Sequence, residues 1–220
     1  MDFSTWEEHE TYYISPAAQG SETWFNLRKG LLTASRVAGA VGKDYFNSPE
    51  KVARHMLGYP DSPVPERNRA FMAHGVKFEP KIRQWYSKKF NVEVKEVGLA
   101  VPKWDTRIGG SLDGKTDKKA IEIKAPQKMY PKLQAYIDNP FAFDINDHSY
   151  IHDSHYIQMQ TNMAITNDTE TDYVVYCDKK INIVTVPFNQ DYWDNELYPA
   201  INKFFETMPQ YIELWANTYR

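Results

Sequence analysis

A chain of 220 residues with 42% hydrophobic and 25% charged residues has an ordinary globular balance, which excludes a disordered or fibrous protein. The formal charge of −3 excludes a protein that coats nucleic acid through bulk basicity, so any contact with DNA has to be local, through a basic patch or bound cations. The single Cys177 excludes an internal disulfide and a cysteine-rich zinc module, and it fits a reducing compartment.

Residues 1–20 read as an irregular lead-in. The opening MDFSTWEEHE is acidic and has no apolar run of the signal-peptide kind. No stretch reaches the ~18 apolar residues of a membrane span. The expected setting is therefore soluble, cytoplasmic or within a host cell, with no membrane partner and no secretion. Ser21 caps a short helix, SETWFNLRK, that stops at Gly30. A second helix is predicted from about Thr33 to Val41. YPDSPVPERN, with three prolines, reads as a loop.

A long helical pattern follows, AFMAHGVKFEPKIRQWYSKKF, with Phe71, Phe78, Ile82 and Trp85 as its buried stripe. Glu79 sits on the flank of that stripe. Pro80 either kinks this helix or opens a new one. VEVKEVGLAV (92–101), residues 107–113 and residues 119–125 read as strands, with Asp113-Gly114 suited to turning the chain. Residues 127–147 carry only a weak pattern.

HDSHYIQMQTNMAIT reads as a helix, with Tyr156 and Met159 in the core. DYVVYC and INIVTVPF read as strands. From Asp191 to Tyr219 the pattern is helical, with Leu197, Ile201, Phe204, Met208, Ile212 and Trp215 inward. The order predicts one α/β (α+β) domain, residues 1–220, built on a central mixed sheet flanked by helices.

The densest chemistry lies in GGSLDGKTDKKAIEIKAP, residues 109–126. Side chains alternate across a strand. In AIEIKA, Ile121 and Ile123 therefore anchor one face, and Glu122 and Lys124 project together from the other. Asp113, at the end of the neighbouring strand, reaches the same place. Gathering Asp113 and Glu122 without a cation costs like-charge repulsion, and a hard cation such as Mg²⁺ seeks carboxylate oxygens. Lys124 beside such an ion orients water, assists its deprotonation or balances charge on a phosphate under attack. A short D…ExK pattern alone is more often a surface hairpin.

Four blocks in order, QGSETWFNLRKGLLTAS, AHGVKFEP, GGSLDG…IEIKAP and HYIQMQ, resemble the lambda-exonuclease type of viral recombination nuclease. That family belongs to the PD-(D/E)XK nuclease superfamily, whose core is restriction-endonuclease-like. The likeness runs from about residue 19 to 165. It implies that Arg28 and Ser35 hold a 5′-terminal phosphate, in keeping with the paired donors of a guanidinium and the anion preference of a helix start. It implies that Glu79, Asp113, Glu122 and the carbonyl of Ile123 hold one or two Mg²⁺ ions, with Mn²⁺ able to substitute, and that Lys124 is the catalytic lysine.

Gln160 would position the water or the scissile phosphate. Gln158 lies about 200° away on the same helix, so both cannot serve equally, and Gln160 is preferred. The first aspartate departs from the superfamily pattern, with Leu112 where proline is usual. The resemblance further implies a viral origin, 5′→3′ resection of one strand of double-stranded DNA from its end, a ring-shaped homotrimer and a single-strand annealing partner. Two alternatives stay open: a restriction-type endonuclease on the same core, and a non-catalytic protein that binds DNA ends.

Other features have plainer readings. His148, His152 and His155 have zinc-like spacing but no cysteine beside them. His155 shares the helix of Gln160 and so stands near the phosphate path. Lys128, Lys132, Arg67 and Arg69 are solvated surface unless DNA passes them. His74 reads as an interior histidine.

Overall fold

The computed structural model describes residues 1–59, 65–144 and 148–218, with the side chains of Arg67, Ile212 and 214–218 left aside. The expectations for Arg67, Ile212 and Trp215 thus lie outside the described side chains. The lead-in is not irregular. Strands β1 (Glu7–Glu8) and β2 (Tyr12–Ile14) pair antiparallel, and β2 pairs in turn with β4 (Ala100–Pro102). Segments this short carry no pattern of their own and become strands only through long-range partners.

Helix α1 (Glu22–Leu27) begins at Ser21, whose hydroxyl accepts the Trp24 N–H, and the chain leaves it through Gly30 at φ +80°. Strand β3 (Leu32–Thr33) runs parallel to β5 (Ile108–Gly109) and delivers the chain into α2 (Ala34–Ala40). A further helix, α3 (Pro49–Met56), was not expected. Its cues are local and present: Ser48 accepts the Lys51 N–H, and Pro49 takes the first turn.

Helix α4 (Glu66–Phe90) passes Pro80 without interruption. The carbonyl that loses its partner belongs to Val76, on an exposed turn open to water. Phe78, Ile82, Trp85 and Tyr86 pack inward. Phe71, expected in that stripe, is instead exposed at 37%.

The central sheet has the order β6-β7-β8-β9, formed by β6 (Gly114–Lys115), β7 (Ala120–Lys124), β8 (Glu170–Cys177) and β9 (Lys180–Pro187). It is mixed: β7 and β8 are parallel and the outer pairs antiparallel. The turn between β6 and β7 is not at Asp113-Gly114. It lies at Thr116–Lys119, where the Thr116 hydroxyl accepts the N–H groups of Lys118 and Lys119. Asp113 is thereby left at the strand entrance, beside the cluster it serves.

Parallel strands need a crossover. Here it holds α5 (Pro131–Asp138), a 3-10 turn (Pro140–Ala142) and α6 (Asp153–Thr166). Helix α5 lies in the weakly patterned segment and went unread, although Pro131 marks its first turn. The chain ends in α7 (Gln190–Tyr192), a π-helical segment (Trp193–Leu197) and α8 (Tyr198–Thr218). Alternation on β8 divides the core: Val174 joins Ile121, Ile123, Ile82 and Tyr86 under α4, while Tyr173 and Val175 join Leu133, Met159 and Met163 under α5 and α6.

Candidate active site

Strand β7 makes the centre. Its isoleucines face α4, so Glu122 and Lys124 face α6, as alternation requires. Glu122 is 1% exposed, and its Oε1 accepts from Lys124 Nζ at 2.6 Å. Asp113 Oδ2 accepts the Ile123 N–H at 2.8 Å, which ties the end of the preceding segment to the same strand. Glu79 comes from α4, where Arg83 Nη2 donates to its Oε1 at 2.9 Å. Arg83 also donates to the Asp113 carbonyl at 2.6 Å and to Glu96 at 2.5 Å, so one guanidinium holds α4 against the Asp113 segment.

Burial and mutual repulsion act on all three acids. Glu79 is pushed up to about 7 by burial and then by Asp113, against the pull of Arg83. Burial raises Glu122, with Lys124 opposing and Asp113 adding to the rise. Burial also raises Asp113, against Lys124, the Ile123 N–H and Arg83. Lys124 is the converse case. Burial alone would lower it, and Glu122 with Asp113 outweighs that and holds it protonated.

The acids share a field rather than a preformed cage. Among the described residues, no three His, Cys, Asp or Glu side chains make a group that could hold a metal ion. Glu79 feels the charge of Asp113 and in turn raises the pKa of Glu122. The donor set still fits a hard divalent cation. It is all oxygen, its acids are raised by burial against the pull of Lys124 and Arg83, and each contact above uses one oxygen of a carboxylate that has two.

A stability test follows from the shifted acids. In the unfolded chain Glu79 loses its proton near its ordinary 4.5, whereas the folded chain keeps it to about 7. The folded state therefore binds more protons between those values, and stability falls as pH rises through them. Thermal unfolding in EDTA should show this loss from pH 5 to 8, and a divalent cation should restore more stability at pH 8 than at pH 5.

The two glutamines exchange places relative to expectation. Gln160 is fully buried and spent on structure: its Nε2 donates to the Pro187 carbonyl at 2.9 Å, and its Oε1 accepts the Asn189 N–H at 2.8 Å. Gln158 faces the centre, with its Oε1 3.3 Å from Lys124 Nζ. Gly110 permits this approach of helix to strand, because a Cβ there would stand 2.2 Å from the Asn162 side chain of α6.

Gln160→Leu should cost about 1–3 kcal/mol of stability through the stranded groups at Pro187 and Asn189. Gln158→Ala should leave the melting temperature in place and slow any cutting on the order of 10²-fold. Calorimetry and rate measurements on the same two variants separate these outcomes.

Arg28 lies against Trp24, its guanidinium carbon 3.9 Å from the ring centroid, and Nη2 reaches Thr33 and Ser35 hydroxyls at 3.4 Å each. Burial, then Arg36, lowers its pKa to about 10. A cation that has lost water and, among the described residues, pairs with no acid is set to receive an anion. A cavity of about 200 Å³ is lined by Arg28, Thr33, Ser35, Ser111, Asp113 and Gln158. Thr33 and Ser111 were not singled out from the sequence, and Gln158 stood there as the less favoured of two glutamines. Thr33 neighbours the Arg28 and Ser35 motif, while Ser111 is placed by Trp24 Nε1, which donates to its Oγ at 3.0 Å.

The remaining candidates have settled places. His152 Nδ1 caps α6 by accepting the Ser154 N–H, His155 Nδ1 meets the Tyr173 hydroxyl at 2.8 Å, and His148 stacks on Tyr156. His74 Nδ1 donates to the Ala125 carbonyl at 2.9 Å.

A mixed sheet carrying an acid, a second acid and a lysine at one strand end is the core of the PD-(D/E)XK nuclease class. The model of the YqaJ-like viral recombinase domain matches residues 23–169, and the chain belongs to that family, of the lambda-exonuclease type. An uncharacterized protein of Acanthamoeba polyphaga mimivirus is 28% identical over 161 residues, which is 71% of this chain. The chain spans only about 28% of that protein's length.

Among solved structures, the alkaline exonuclease LHK-Exo from Laribacter hongkongensis matches with a TM-score of 0.66 and 25% identity, over 90% of this chain and 98% of that one. A second structure of the same enzyme contains dAMP. A phage related exonuclease from Haemophilus somnus, 14% identical with a TM-score of 0.55 over 89% of this chain and 99% of that one, shares the fold. No helix among the described residues is long and apolar enough to cross a membrane.

Proposed function

We propose that the protein is a divalent-metal-dependent DNA exonuclease that digests one strand of a duplex from its 5′ end. One observation carries this reading: a single cavity is lined both by Arg28 and Ser35 and by Asp113 and Gln158. A terminal phosphate held by the guanidinium thus fixes how far the first phosphodiester lies from the acids. The dAMP complex of LHK-Exo supports a mononucleotide product.

Asp113, Glu122, Glu79 and the Ile123 carbonyl would hold one or two Mg²⁺ ions, with Mn²⁺ able to substitute. Such ions, when bound, supply an activated water and steady the leaving oxygen. Lys124 stays protonated under the field of its acids and donates toward a phosphate oxygen, where charge builds as the bond breaks. Gln158, held beside Lys124, orients the attacking water. Arg28 keeps the phosphate end in place. By family the reading extends to resection for recombination within a host cell, to a homotrimer that encloses its DNA and to a single-strand annealing partner.

Linear duplexes with one 5′-phosphorylated and one 5′-hydroxyl end test the reading. Digestion should start at the phosphate, require Mg²⁺ and stop in EDTA, and closed circles should resist. Equal cutting of circles would refute an exonuclease. In the same assay Arg28→Ala should shrink the preference for the phosphorylated end by about 10- to 100-fold, the worth of hydrogen bonds to a charged group. An unchanged preference would place the phosphate elsewhere.

A further inference from the structure

A second cavity, of about 420 Å³, is linked to the candidate centre through Tyr130, which lines it and feels the charge of Lys124. Three separate parts of the chain wall it. Lys43 and Tyr45 follow α2, Tyr130 and Lys132 begin α5, and His152 with Asp153 begins α6. Tyr45 is 91% exposed, and its ring meets that of Phe46, also exposed, edge-on at 5.2 Å. The two rings thus offer apolar faces to solvent or to a partner.

The loop that presents them is held in shape. Asp44 accepts the Phe46 N–H at 2.8 Å and the Asn47 amide at 2.7 Å. Tyr130 stands on the wall toward the centre, its ring 5.5 Å from that of His155 and its hydroxyl within the field of Lys124.

The charge here runs against that of the whole molecule. Lys43 and Lys132 face one acid, Asp153, in a chain of net −3. Among the described residues no acid pairs with Lys132, and the Lys43 ammonium lies 5.4 Å over the Tyr192 ring. Exposed rings flanked by lysines suit a ligand with bare aromatic faces and a phosphate backbone. Unpaired bases have such faces, and a duplex keeps them stacked.

We propose that this groove binds single-stranded DNA beside the cut, with bases stacked on Tyr45 and Tyr130 and the backbone passing Lys43 and Lys132. The inference rests on the nuclease reading for its setting and adds a site to it. Recognition by ring faces is tolerant of sequence, so the strand slides as digestion proceeds.

Fluorescence anisotropy of labelled oligothymidylate on the full chain in EDTA tests the groove without cutting. Tyr45→Ala should weaken binding about 5- to 100-fold, and Tyr45→Phe should keep it, since the ring does the work. Lys132→Ala should reduce the salt slope of the binding constant by about 0.7. Binding unaffected by Tyr45→Ala, or an equal Tyr45-dependence for a blunt duplex, overturns the proposal. Cutting of a 5′-phosphorylated duplex end by Tyr45→Ala, measured alongside, separates the two readings: native protein that binds the oligomer but does not cut overturns the nuclease reading alone, and Tyr45→Ala that cuts but binds as native overturns the groove alone.

Discussion

Lys124→Ala is expected to slow cutting by about 10²- to 10⁴-fold, the range for a positioned proton-bearing group, while DNA binding persists. The structure explains why nothing nearby can replace it. Its ammonium is drawn between Glu122, at 2.6 Å, and Gln158, at 3.3 Å, on the face of β7 opposite the isoleucines. Arg83, the other cation tied to the acids, is committed to Glu79, Glu96 and the Asp113 carbonyl. Single-turnover rates at saturating DNA, with anisotropy for binding, measure both halves. A normal rate would remove Lys124 from the chemistry.

Glu122→Gln should abolish the response to divalent cations and the cutting that depends on it. The replacement keeps the shape of a side chain that is 1% exposed and keeps an oxygen for the Lys124 hydrogen bond, so the metal-free fold survives. What is lost is the negative charge. In the native chain a cation at one hundred times its dissociation constant should add about 2.7 kcal/mol of stability, a melting shift of several degrees. In the variant that shift should vanish. Melting curves with and without Mg²⁺ decide it, and a shift of native size would mean that the ion binds away from Glu122.

The central pair was readable because two-residue alternation needs no tertiary knowledge: Ile121 and Ile123 fix one face of β7, and Glu122 and Lys124 follow. The long helices were readable from their own 3.6-residue period, and the mixed sheet from the order of helices and strands. The choice between Gln158 and Gln160 was not. From Met159 to Met163 the helix is buried on every side, so its apolar pattern points nowhere. Only the contact with β7 says which glutamine faces the acids. The half-buried state of Gln158 and the full burial of Gln160 are tertiary facts.

Phe71 failed differently, since its spacing was right but α4 extends beyond the sheet at that end. The strands of the lead-in were unreadable because two or three residues are too few for a period. The turn at Thr116–Lys119 was hidden behind a stronger local cue at Asp113-Gly114, which the tie from Asp113 to Ile123 overrides.

The parallel pairing of β7 with β8 also governs how the molecule comes to exist. Residues 125–169 must be spanned before those two strands meet, and closure over such a distance is slow. Gln158 lies inside that span, and Glu122 at its edge. The cluster of Glu122, Lys124 and Gln158 is therefore expected to come together late in folding, after its acids are already in the chain.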